Sequence, residues 1–148
     1  MSELISGKMI SAQINEELRN EVEHLKDRGV EPCLAVILVG EDPASAVYVR
    51  NKKRTCAELG IRSVGHDLPE TTHQDELENL VHDLNNDPSV HGILNQFPLP
   101  NGLDESRVIR TISPEKDVDG LHPLNAGLIA MGQPSFISCT PYGVLQML

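Results

Sequence analysis

The chain has 148 residues, 39% of them apolar and 23% charged, proportions that suit one globular domain with a proper core. A formal net charge of −10, with no Lys/Arg cluster beyond the stretch Arg50 to Arg54, argues against a nucleic-acid partner. No apolar run approaches the roughly 18 to 20 residues of a membrane span, and Met1-Ser2-Glu3-Leu4 lacks a basic segment leading into an apolar one, so neither a membrane nor export is expected.

From Gly7 to Arg28, Ile10, Ile14, Leu18, Val22 and Leu25 recur at helical intervals and Gly29 supplies a stop, which predicts an amphipathic surface helix. Cys33 to Val39 is a nearly continuous, β-branched apolar run, the pattern of a strand buried on both faces. Gly40-Glu41-Asp42-Pro43 then turns into a helix that Gly60 ends, and Ile61 to Leu68 reads as a second strand interrupted by Gly65. Thr72 with Asp75 predicts the capping pair of a helix carrying Leu77, Leu80, Val81 and Leu84. Val90 to Asn95 is a third strand, running into Gln96-Phe97-Pro98-Leu99-Pro100, where two prolines forbid ladder pairing.

Strands alternating with helices imply right-handed crossovers and a three-layer α/β domain with a mostly parallel sheet, its ligand cleft at the carboxyl ends of the strands. Asp104 to Ile112 predicts a short helix, and Ser113 to Gly120 a charged loop. Thr140-Pro141 reads as an N-cap followed by a first-position proline, opening an apolar helix with Val144, Leu145, Met147 and Leu148. Two helical turns are marginal alone. The expectation is therefore a front part of a longer protein, with residues 1–138 as one domain and 139–148 as the start of a connecting helix. No Gly-rich strand-turn-helix fingerprint for a dinucleotide is found in the sequence.

Ser45, Tyr48 and Lys52 fall on one helical stripe, a hydroxyl, a phenol and an amine, beside an aliphatic stripe of Ala46, Val49 and Cys56. Such a helix carries both core and chemistry, although Tyr and Lys at i and i+4 equally describe a solvated surface pair. Cys33, Cys56 and Cys139 are odd in number and unpaired in spacing, which points to a reducing compartment, the cytoplasm. The six histidines form no i, i+4 pair, so no metal is assigned.

Three segments together resemble the bifunctional methylenetetrahydrofolate dehydrogenase/methenyltetrahydrofolate cyclohydrolase family, specifically its N-terminal folate-binding domain. They are Ser45-Ala46-Val47-Tyr48-Val49-Arg50-Asn51-Lys52, Gly92-Ile93-Leu94-Asn95-Gln96-Phe97-Pro98-Leu99-Pro100, and Pro114-Glu115-Lys116-Asp117-Val118-Asp119-Gly120-Leu121-His122-Pro123 with Asn125-Ala126-Gly127. Cys139-Thr140-Pro141-Tyr142-Gly143 looks like the family's lead into the helix joining its two domains. The family usually has Val-Gln-Leu-Pro where this chain has Asn95-Gln96-Phe97-Pro98, and Pro where it has Ser138. The family's Rossmann domain has no counterpart in the sequence.

The resemblance implies an amino-acid-dehydrogenase-like N-terminal fold and two reactions on tetrahydrofolate: oxidation of the 5,10-methylene form with NADP, then hydrolysis of the 5,10-methenyl cation to 10-formyl-tetrahydrofolate. It makes Lys52 the general acid/base and Gln96 the amide that orients it. Tyr48 becomes the ring lying on the folate, and Asp119 the carboxylate that accepts from the pterin N–H groups. Asn95 and Phe97 are expected to shape the substrate pocket, with Ser45 and Cys139 as secondary pocket residues. NADP would belong to the family's other domain, and a homodimer is implied for the full-length protein. Two alternatives stay open: a folate-binding module without turnover, and the substrate domain of an amino-acid or malate dehydrogenase, which the joint presence of Tyr48, Lys52, Gln96 and Asp119 disfavours.

Overall fold

The computed structural model describes residues 5–148. Over them it runs α1 (Gly7–Asp27), β1 (Cys33–Val39), α2 (Pro43–Leu59), β2 (Arg62–Leu68), α3 (Gln74–Asn86), β3 (Gly92–Asn95), α4 (Glu105–Thr111), α5 (Pro123–Ala130) and α6 (Cys139–Met147). The strands form one parallel sheet in the order β2-β1-β3. Its central strand is the apolar run Cys33–Val39, and its side chains alternate between two helical layers, as a strand covered on both faces requires.

On one face Ala35, Ile37, Val39 and Ile93 pack under α3 and α4, against Leu77, Val81, Leu84 and Val108. On the other, Val36, Leu38 and Leu94 meet Val49 of α2. Beyond β3, the backbone N–H of Ile93 donates to the Lys116 carbonyl at 2.8 Å, and Ile93 bridges Asp117 in parallel, so the loop after α4 runs along the sheet edge. Gly92 permits this approach, because a Cβ there would collide with Val118.

Three local details depart from the sequence reading. The N-cap of α3 is His73, not Thr72; its backbone N–H donates to the Glu76 carboxylate at 3.0 Å while Thr72 is buried beneath the turn. Helix α6 starts at Cys139 after an N-cap at Ser138, so Pro141 sits inside the first turn, where a missing N–H leaves nothing unpaired. Helix α5 was not expected. It begins with Pro123 at its first position and His122 as N-cap, the imidazole Nδ1 accepting from the Leu124 N–H at 3.1 Å, and its Gly127 and short length give no periodic signal.

Candidate active site

Helix α2 is fixed at both ends by its own sequence. The Asp42 carboxylate accepts from the Ser45 N–H at 2.7 Å, Pro43 occupies the first turn, and Gly60 closes the helix in the left-handed conformation with φ of 77°. Val49, Cys56 and Leu59 are buried on its inner side. This clamps the rotation of the helix, so Tyr48, Lys52 and Thr55, at i, i+4 and i+7, line a cleft of about 790 Å³ whose far wall is Val118 and Asp119.

Lys52 Nζ donates to Gln96 Oε1 at 3.3 Å, across 44 residues of sequence. The Gln96 amide is itself oriented, because its Nε2 donates to the Phe97 carbonyl at 2.7 Å and leaves the oxygen to face the amine. A neutral amide holds the amine in place without a counter-charge. Burial raises the Asp119 carboxyl above the ordinary aspartate value; the Lys52 charge pulls it back and the Asp117 charge pushes it up again. Desolvation and the negative charge of Asp119 likewise push the Cys139 thiol up, and its sulfur donates to the Val118 carbonyl at 3.4 Å. Tyr48, 62% exposed, presents its ring at the opening.

The structure thus brings Tyr48, Lys52, Gln96, Asp119 and Cys139 together. It does not do so for the other three expected residues. Asn95 is in register with Ile37 and faces α3, 2% exposed and on the side of the sheet away from α2. Period-two alternation makes this inevitable once Leu94 turns toward Val49. Ser45 is buried in the first turn of α2, its N–H engaged by the Asp42 cap, and is not part of the cleft wall. Phe97 contributes its carbonyl to Gln96, while its ring is not part of the cleft wall. Ala46, expected on the buried stripe, is exposed.

The cleft also lies lower than expected. It runs along the α2 face of the sheet and reaches Pro32 and Leu34 before and within β1, and His91 and Gly92 at the start of β3. Gln96 follows the carboxyl end of β3 and reaches the cleft through Lys52 rather than forming part of its wall. The gap opens there because the edge segment 116–119, not another helix, faces α2 across the short strand β3. Thr55, Cys56, Ile61 and His91 were missed as lining residues. Thr55 and Cys56 were detectable, as i+3 and i+4 from Lys52; Ile61 and His91 carry no local signal.

Among the described residues, no group of His, Cys, Asp or Glu has the arrangement of a metal site. Nor is any turn among the described residues suited to a dinucleotide pyrophosphate. At the two strand-to-helix connections with a left-handed glycine before the helix, Gly40 and Gly102, the carboxylates of Asp42 and Asp104 already occupy the helix N-termini, and Glu41 adds a further negative charge beside the first.

Comparison with known proteins settles the kinship. Residues 5–119 match the tetrahydrofolate dehydrogenase/cyclohydrolase catalytic domain. The chain belongs to that family. The bifunctional protein FolD of Agathobacter rectalis is 53% identical over 148 residues, covering 100% of this chain and 53% of that protein. That of Caldicellulosiruptor saccharolyticus is 55% identical over 142 residues, covering 94% and 51%. The crystal structure of the bifunctional FolD methylenetetrahydrofolate dehydrogenase/cyclohydrolase from Campylobacter jejuni superimposes with a TM-score of 0.97 at 47% identity, over 99% of this chain and 52% of that one. The Trypanosoma brucei enzyme, solved with NADP cofactor and inhibitor, gives a TM-score of 0.94 at 34% identity, over 99% and 51%. The chain spans about half the length of the curated relatives it matches. None of its described helices is long and apolar enough to cross a membrane.

Proposed function

We propose that this chain supplies the folate site and the proton-handling groups of an enzyme that oxidises 5,10-methylenetetrahydrofolate with NADP and hydrolyses 5,10-methenyltetrahydrofolate to 10-formyltetrahydrofolate. The observation that carries this reading is the Lys52–Gln96 hydrogen bond at 3.3 Å, which holds the Lys52 amine in a cleft that Tyr48 and Asp119 also line. Membership of the family and the match of the whole chain to about half the length of a bifunctional FolD protein support it. In the hydrolysis, water adds to the cationic methenyl carbon and loses one proton to give a neutral carbinolamine; the ring then opens by loss of a carbon–nitrogen bond as the nitrogen takes a proton and the hydroxyl gives up its own to form the formyl C=O, one proton being released overall. Lys52 moves that proton, Gln96 aims the amine, Tyr48 stacks on the folate's aromatic system, and Asp119 accepts from the pterin N–H groups.

NADP, when bound, supplies the hydride acceptor for the first reaction. Residues 1–138 are proposed as the folate-binding unit and 139–148 as the start of a helix leading to the nucleotide-binding domain, in keeping with the exposed Val144, Leu145 and Leu148 of that segment. A homodimer of the full-length protein is proposed from the family alone. A cytoplasmic location is proposed from three free cysteines in a chain whose described helices span no membrane.

Lys52→Ala and Asp119→Ala test the assignment in the full-length protein. Lys52→Ala is expected to lower methenyl hydrolysis by about 100- to 10,000-fold while folate affinity falls much less. Asp119→Ala is expected to weaken folate binding first, since the pterin loses a charge-assisted acceptor. Unchanged turnover in Lys52→Ala would remove the amine from the chemistry; folate binding with no methenyl hydrolysis in the unsubstituted full-length protein would favour a folate-binding module without turnover.

A further inference from the structure

Two buried polar side chains stand behind the cleft and have no part in the chemistry above. Asp117 is 3% exposed and Asn125 is 2% exposed. The Asp117 carboxylate accepts from the backbone N–H of Leu121 at 3.3 Å, that of His122 at 2.8 Å and the Asn125 amide at 2.9 Å. The same Asn125 nitrogen donates to the Pro114 carbonyl at 3.0 Å, and its oxygen accepts from the Ser135 hydroxyl at 2.7 Å. Burying such groups is costly unless they are paired, and here the pairing ties together the start of the 114–122 loop, its end, α5 and the segment before α6.

Asp119 lies within the loop whose two ends this network ties. The loop is anchored on its other side by Lys116, whose amine donates to the Leu84 and Asp87 carbonyls at 2.9 and 2.8 Å, around the end of α3. Gly120, with φ of 65°, lies so close to the Ile137–Ser138 backbone that a Cβ would come within 2.6 Å of it. Loop and α6 approach are therefore fastened together, with Asp119 and Cys139 side by side on the cleft wall.

We infer that Asp117, braced by Asn125, is a positioning residue that clamps the 117–122 loop and so sets where the Asp119 carboxylate meets the folate. The inference rests on the folate-site reading and deepens it. Asp117 also acts on Asp119 through space, its charge raising that carboxyl. The other titratable groups bearing on Asp119 are Lys52 from α2 and Cys139 from α6.

The test measures kcat and KM for 5,10-methenyltetrahydrofolate hydrolysis against pH in full-length Asp117→Asn, Asn125→Ala and Asp119→Asn, with thermal unfolding as the check on folding. Asp117→Asn is expected to raise KM by about tenfold or more and to change kcat much less, because the Lys52–Gln96 pair is untouched. It should also move the acid limb of kcat/KM to lower pH, since Asp119 loses a like-charged neighbour; a merely structural role would not move that limb. Asn125→Ala should raise KM without that downward displacement. Unchanged KM and acid limb in a folded Asp117→Asn protein, with Asp119→Asn impaired, would overturn the positioning role alone. If Asp117→Asn does not fold, unchanged KM in both Asn125→Ala and Ser135→Ala overturns it equally. Normal KM in Asp119→Asn would instead overturn the folate-site reading on which it stands.

Discussion

The two faces of the sheet share one central strand and are put to opposite uses. Under α3 and α4 the residues of β1 and β3 meet a continuous apolar cluster that runs through Leu77, Val81, Leu84, Val108 and Ile112. Under α2 the buried cluster is only Val36, Leu38, Val49 and Leu94, and past it the helix lifts from the edge segment to leave the cleft. The closed face supplies rigidity, and the open face carries the groups proposed for the chemistry. Because α2 is capped at both ends and held by Val49, its polar stripe can border the cleft while its inner stripe stays packed.

Deleting bulk on the closed face has the largest expected effect on stability and sharpens this contrast. Leu77→Ala, at a fully buried position, should cost about 2–5 kcal/mol in urea unfolding, yet leave the folate affinity of the folded fraction unchanged. A cleft that loses affinity in step with stability would show that the two faces are not independent.

The exception on the closed face is Asn95, whose amide nitrogen and oxygen meet no hydrogen-bond partner among the described residues. Asn95→Val, an apolar side chain only slightly larger, should therefore stabilise the protein by about 1–3 kcal/mol with little change in methenyl hydrolysis. A loss of hydrolysis in a stabilised variant would return Asn95 to the site.

The smallest effect concerns Asp119 on the open face. Its folded-state pKa is raised, so ionising it costs stability above that pKa, and the cost disappears as pH falls through the raised value to that of the unfolded chain. Asp119→Asn should accordingly raise the melting temperature slightly at neutral pH, and the gain should vanish in acid. A gain that persists in acid would mean that burial of this carboxyl is not its source.

Much of this molecule is legible in local sequence. The bounds of β1, and the start and stop of α2, follow from a β-branched run, an Asp-Pro start and a Gly stop, each of which acts within a few residues. Of the expected Ser45, Tyr48 and Lys52 stripe, helical periodicity correctly places Tyr48 and Lys52 on the cleft for the same reason, while Ser45 is buried in the first turn. Which of the 90–100 side chains reaches the cleft is another matter. Asn95, Gln96 and Phe97 are adjacent, yet Asn95 turns to the core, Gln96 to Lys52, and Phe97 offers only a carbonyl, because register with β1 decides the first and a contact 44 residues away decides the second.

By itself, then, the sequence determines the parallel α/β order of elements, the helix that carries the amine, and the loop that carries Asp119, since these depend on backbone propensity, capping and periodicity over short distances. The tertiary structure alone decides that the cleft lies along the α2 face rather than at the strand ends. It also decides that Asp117 is a buried clamp while Asp119, two residues on, lines the open wall. Those outcomes depend on which segment borders β3 and on side-chain hydrogen bonds between residues eight and ten positions apart across a loop, and no helical or strand periodicity encodes either.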